Sequence, residues 1–241
     1  MAIARKLAYN VIFNSVLKVT STVVLSLLLV RLITGYLGQE GFGKYATVLA
    51  FFSFFAAISD LGLGPVTARE IAKDGSDEGK ILGNVVALRL VSSALLITIA
   101  PLVVLFFDYP VEVKWGIIIV ACASFFSSLS LVMNGVFQKR IAMDRVAMVE
   151  FIGKLIQVSL IACIVKFNLG FFPIVLSVLV ALAFNVTTVY LISRQFIRFS
   201  LRFDIAFWKA FLKESLPMGA TALITFAYFK TDTILLSLIQ S

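Results

Sequence analysis

Residues 23–30 read Val23-Val24-Leu25-Ser26-Leu27-Leu28-Leu29-Val30, and this run decides the fold. A strand of a membrane barrel alternates apolar and polar side chains every second residue. This run is instead apolar on every face, as a helix enclosed by lipid or by other helices must be. It extends in both directions to about 11–34, long enough at helical rise to cross a hydrocarbon core. Six further stretches of that kind follow, at about 45–66, 85–107, 116–137, 148–167, 172–193 and 215–239. The composition agrees, with 61% hydrophobic residues and a mean hydropathy of +1.04, far above soluble domains. The expected fold is all-α, a polytopic membrane helical bundle.

Arg5 and Lys6 would suit the charged region of a signal peptide. The apolar run after them is too long for one, contains Lys18 and ends without a small-residue cleavage pattern, so it reads as an uncleaved first span. The chain has no histidine, which excludes histidine-based acid–base catalysis, Ser-His-Asp triads and His-ligated metals. Cys122 and Cys163 fall inside spans four and five and read as small packing residues. No cofactor or metal is expected.

The net charge of +8 is distributed as a topology signal and not as a nucleic-acid footprint. The N-terminus and the loops after spans two, four and six carry 13 Lys and Arg residues, against Lys44, Lys114 and Lys166 in the alternate loops. Basic residues mark the cytoplasmic side, so the N-terminus is expected inside, with anionic lipid headgroups as the natural partner of the surplus. Segment 204–214 reads as a short interfacial linker helix on the inner leaflet. Asp204 would cap it, and Trp208, Phe211 and Leu212 share its apolar face.

Five cations stand inside the spans: Lys18, Arg31, Arg89, Lys154 and Lys230. At a bilayer centre each costs at least about 2.5–3.5 kcal/mol, so it must snorkel or face something polar. Arg31 can snorkel outward and Arg89 inward. Lys154 has Glu150 one turn before it, the favourable order for a helical ion pair. Lys18 is roughly 10 Å into its span at helical rise, and Lys230 lies near the midplane, so neither has such an outlet. Asp60 is placed to neutralise Lys18 or Arg89, and Asp232 is the corresponding acid of span seven. Polar side chains recur at three- and four-residue steps on several spans: Ser15, Lys18, Thr22 and Ser26; Ser53, Asp60 and Gly64; Ser124, Ser127, Asn134 and Gln138; Glu150, Lys154 and Gln157; Thr221, Thr225, Tyr228 and Asp232. Taken singly, such stripes are helix–helix glue. Together they imply a shared hydrophilic cavity, biased toward cations in its cytoplasmic half and suited to a phosphate or pyrophosphate.

The first loop reads Arg31-Leu-Ile-Thr-Gly-Tyr-Leu-Gly-Gln-Glu-Gly-Phe-Gly-Lys-Tyr45, and span two ends Ser59-Asp60-Leu-Gly-Leu-Gly-Pro65. This pattern resembles the polysaccharide biosynthesis flippases, the O-antigen and capsule (Wzx-type) transporters of the multidrug/oligosaccharidyl-lipid/polysaccharide exporter superfamily. The resemblance implies a multi-pass protein of the bacterial inner membrane with two six-helix lobes. Such a protein moves undecaprenyl-diphosphate-linked oligosaccharide repeat units outward through a basic central cavity. It also implies that the pyrophosphate meets Lys18, Arg31 and Arg89, and that a polysaccharide polymerase and other assembly proteins are partners. On this reading residues 1–193 form the N-terminal six-helix lobe, 194–214 the linker and 215–241 the first helix of a second lobe. The chain is then expected to be a truncated product, needing a second lobe from another chain. The alternatives are an ion-coupled multidrug antiporter of the same superfamily, a membrane glycosyltransferase or polymerase, and a purely structural membrane protein. The cationic cavity disfavours the antiporter, and loops of at most about twenty residues disfavour an enzyme; no enzymatic activity is expected.

Overall fold

The computed structural model describes residue 15 and residues 19–239; side chains at 21, 22, 222, 223, 226, 227 and 229–239 fall outside the description. The elements are a π-helical segment (Thr20–Leu25), α1 (Ser26–Asp60), α2 (Leu63–Ala72), α3 (Glu78–Leu105), α4 (Val111–Lys139), α5 (Met143–Lys166), α6 (Phe171–Ser193) and α7 (Ile205–Ile239). No strand occurs among the described residues. Among the described residues five helices are long and apolar enough to cross a membrane. The first of these, Val23–Asp60, holds two of the spans expected from sequence, separated by a break at Gly38 with φ 70° and ψ −171°. That conformation is essentially closed to residues with a Cβ. The chain is therefore a multi-pass membrane protein, all-α among the described residues.

Span two, expected at 45–66, is interrupted near its end. Leu61 and Gly62 both take left-handed conformations, and α2 starts at Leu63. The reason lies in α7, which crosses this turn backbone to backbone. A Cβ on Gly62 would stand 2.6 Å from the Gly219 amide nitrogen, and one on Gly219 would stand 2.6 Å from the Leu61 carbonyl carbon. The Asp-Leu-Gly pattern thus ends a helix where another helix must pass.

Residues 204–214 and 215–239 form one helix, α7, continuous through Pro217. Asp204 does cap its start, accepting a bond of 3.0 Å from the Phe207 amide. The apolar face lies against the bundle: Phe211 is buried in the core, with Trp208 and Leu212 packed beside it. Asn84 on α3 pins this end, since its side-chain oxygen accepts from the Asp204 amide and its carbonyl accepts from the Trp208 indole, each at 3.0 Å.

Two apolar clusters divide the core along the bundle axis. One gathers Leu29 and Ile33 with Tyr45–Phe55, Leu96–Val120 and Ile161–Val175, around the turns at Gly38, 106–110 and 167–170. There Lys44 pairs with Glu112 at 3.1 Å, and the Gly170 amide donates to the Tyr36 hydroxyl at 2.9 Å. The other gathers Leu63–Leu88, Val132–Val149, Val189 and Phe211 at the opposite end. At that end Lys139 and Arg140 both pair with Glu78, Arg69 with Glu214, and Arg145 bonds Gln195. The basic loops after spans two, four and six therefore meet at one end, as the charge distribution requires of loops on one side of a membrane.

Candidate functional site

Each long helix passes from one apolar cluster to the other through a polar step. On α1 that step holds Ser59 and Asp60, on α3 Arg89 and Ser93, and on α4 Ser124 and Ser128. On α5 it holds Glu150, Lys154 and Gln157, and on α6 Ser177 and Asn185. The hydroxyls mostly turn inward on their own helices; Ser124 and Ser128 donate to Ala121 and Phe125 carbonyls. The charged groups and amides are arranged differently.

Arg89 has a side-chain exposure of 0%, against 18% for Asp60. Its guanidinium donates to the Asp60 carboxylate and to the Ser59 carbonyl. Of the two neutralisations open to Asp60 in the sequence, the structure displays the one with Arg89. The pair ties α3 to the end of α1, and in this conformation Arg89 lines neither of the cavities described below.

One cavity, of about 500 Å³, opens between α1, α5 and α6. Tyr45 and Ser53 line it from α1, Glu150, Lys154 and Gln157 from α5, and Asn185 from α6. The three α5 residues recur at four- and three-residue steps, so one face of that helix presents them all. Gly153 lies in the same wall; a Cβ there would stand 2.6 Å from both terminal atoms of the Asn185 amide. The missing side chain lets that amide lie against α5. Among the described residues Lys154 and Gln157 make no hydrogen bond or ion pair, although Gln157 is only 7% exposed. The Asn185 side-chain oxygen is also buried without a partner.

A second cavity, of about 650 Å³, lies nearer the basic end between α2 and α4, lined by Asp60, Arg69, Asn134 and Gln138 among others. Here Arg69 is committed to Glu70 and Glu214. The hydrogen bond that Arg69 donates to the Glu70 carboxylate, foremost, holds its guanidinium above the ordinary pKa.

The five cations expected from the sequence are therefore not gathered into one site. Lys154 lines the first cavity with Glu150, Asp60 lines the second, and Arg89 is locked behind Asp60. Arg31 is exposed on α1 and lines neither cavity. Lys18 lies outside the described residues; Lys230 and Asp232 are on α7, but their side chains are outside the description. Asn185 was not singled out in the sequence. Its one signal is that it is the single amide of a span without charged residues. No group of three or more Cys, Asp or Glu residues able to hold a metal occurs among the described residues.

No curated protein and no solved structure matches the chain. A family model described as "Polysaccharide biosynthesis protein" matches it over residues 7–241. That match takes in the broken α1, the glycine crossing and both cavities, and the chain belongs to the polysaccharide biosynthesis protein family.

Proposed function

We propose that the chain moves lipid-linked oligosaccharide repeat units, carried on undecaprenyl diphosphate, across the bacterial inner membrane for O-antigen or capsular polysaccharide assembly. It does so as a transporter that makes and breaks no covalent bond. The observation that carries this reading is Lys154. Its ammonium faces a cavity midway along a bundle of this family with no hydrogen bond or ion pair among the described residues. An ammonium kept unpaired at that depth is costly, so a polar ligand or an aqueous path must be its counterpart. The lipid tail would stay in the bilayer while the polar head passes through the bundle. Lys18, Arg31 and Lys230 are the cations proposed to meet the pyrophosphate, with Glu150 and Asp232 as charge partners, while Lys154 meets another polar part of the same head.

The test uses proteoliposomes holding the full chain and a fluorescent undecaprenyl-diphosphate oligosaccharide, with outward movement read by enzymatic capture of the exposed sugar. Movement is expected in the native chain and should fall at least about tenfold in Lys18→Ala, Lys154→Ala and Lys230→Ala, an effect of about 1.4 kcal/mol on the barrier. Unchanged movement in all three variants, with normal insertion, removes the reading.

A further inference from the structure

We infer that the cavity between α1, α5 and α6 is the saccharide subsite, a pocket for a neutral or singly charged sugar ring and not for the pyrophosphate. This rests on the lipid-linked oligosaccharide reading and names which part of the substrate the site takes.

Charge is the first argument. Among the described residues the cavity is lined by one ammonium, Lys154, and one carboxylate, Glu150, on the same helix face. A pyrophosphate carries several negative charges, and among the described lining residues a single ammonium stands to balance them in a poorly screened interior. A metal or alkali cation would meet Lys154 in a like-charge contact. The ligand that suits such a wall is close to neutral, with many groups that both donate and accept.

The second argument is the unused hydrogen-bonding capacity. Gln157 is buried and Asn185 holds a buried oxygen, neither satisfied from within the described bundle. Each amide offers a carbonyl oxygen and two N–H donors, the complement of a sugar hydroxyl pair. Gly153 sets the Asn185 amide flat against α5, so both amides belong to one wall. Opposite stand Ser53 and the rings of Tyr45 and Phe52 from α1. Aromatic faces suit the C–H faces of a pyranose, leaving its hydroxyls to the amide wall. At about 500 Å³ the space lies in the ordinary range for small-molecule sites.

The experiment uses the full chain in lipid nanodiscs and saturation-transfer NMR with N-acetylglucosamine and glucuronic acid as probes. Inorganic pyrophosphate, followed by phosphorus line broadening, is the counter-probe. Saturation of sugar ring protons is expected in the native chain, reduced at least about fivefold by Gln157→Leu and by Asn185→Leu. Because leucine replaces an unpaired amide in an apolar helix, thermal stability should hold or rise in both variants. Loss of binding together with loss of stability would make the amides structural and overturn the inference. So would absence of sugar saturation in the native chain, or pyrophosphate broadening that Lys154→Met abolishes and sugar displaces. Oligosaccharide movement without sugar binding here would end the subsite and leave the proposed function. Sugar binding without movement would do the reverse.

Discussion

Removing the Asp60 carboxylate would leave the Arg89 guanidinium buried, with only the Ser59 carbonyl still accepting from it. Breaking a buried pair from one side costs about 3–5 kcal/mol, whereas replacing both partners by apolar groups is often neutral. Asp60→Ala should therefore sharply lower the temperature at which the purified protein loses its monodisperse peak. Asp60→Leu combined with Arg89→Met should recover most of that loss. Recovery in stability without recovery in transport would assign the pair a further role. At this scale the sequence was partly legible. Its charges stood out against apolar spans, and Arg89 was one of two partners open to Asp60. Choosing between Arg89 and Lys18 needs the distance between helices, which no spacing along one helix contains. Asn185 was illegible for a related reason: it has no amide or charge one turn away to form a stripe, and its importance comes from Gly153 on a different helix.

The elements themselves were read well wherever hydropathy falls at a turn, as between α3 and α4 or α5 and α6. The interruption at Leu61 and Gly62 escaped because the run Leu61-Gly62-Leu63-Gly64 offers no polar residue to mark it. The docking of α7 escaped because an apolar helix face looks the same whether it meets lipid or protein. Gly62 has φ 73°, and a Cβ there would also meet the α7 backbone. Gly62→Ala should thus cost the left-handed penalty of about 1 kcal/mol plus the repulsion from α7, and lower the melting temperature more than Gly43→Ala. At Gly43 a Cβ would meet nothing. Asn84→Ala should loosen the segment 194–204 and raise its rate of tryptic cleavage at the exposed Arg194, Arg198 and Arg202, because the side-chain acceptor of the Asp204 amide is lost while the backbone carbonyl that holds the Trp208 indole stays. The α2–α7 junction adds an acid-sensitive contact. Lys73, chiefly, and Arg69 hold the Glu70 carboxyl below its ordinary value of 4.5. The stabilisation is present above that value and disappears as pH falls through the depressed one. Thermal stability should decline below about pH 4.5 by a smaller increment in Glu70→Gln than in the native chain.

For the whole molecule, the division of the core into two apolar clusters with polar steps between them is what makes a polar-lined cavity among the helices possible. Helix packing alone would favour an uninterrupted apolar interior. Hydropathy marks the apolar spans along the chain, but it averages over each helix and cannot register where the polar steps of different helices stand relative to one another. The Asp60–Arg89 ion pair also has a consequence in time. Asp60 and Arg89 are 29 residues apart in the chain. At synthesis rates of about 5–20 residues per second, the acid precedes the base into the membrane by roughly 1.5–6 s. An isolated carboxylate can wait there by taking up a proton, whereas a guanidinium has no neutral form to wait in. The order acid first, arginine second lets the arginine enter beside a counter-ion already in place. Exchanging the two residues should preserve the finished pair yet lower the yield of inserted protein.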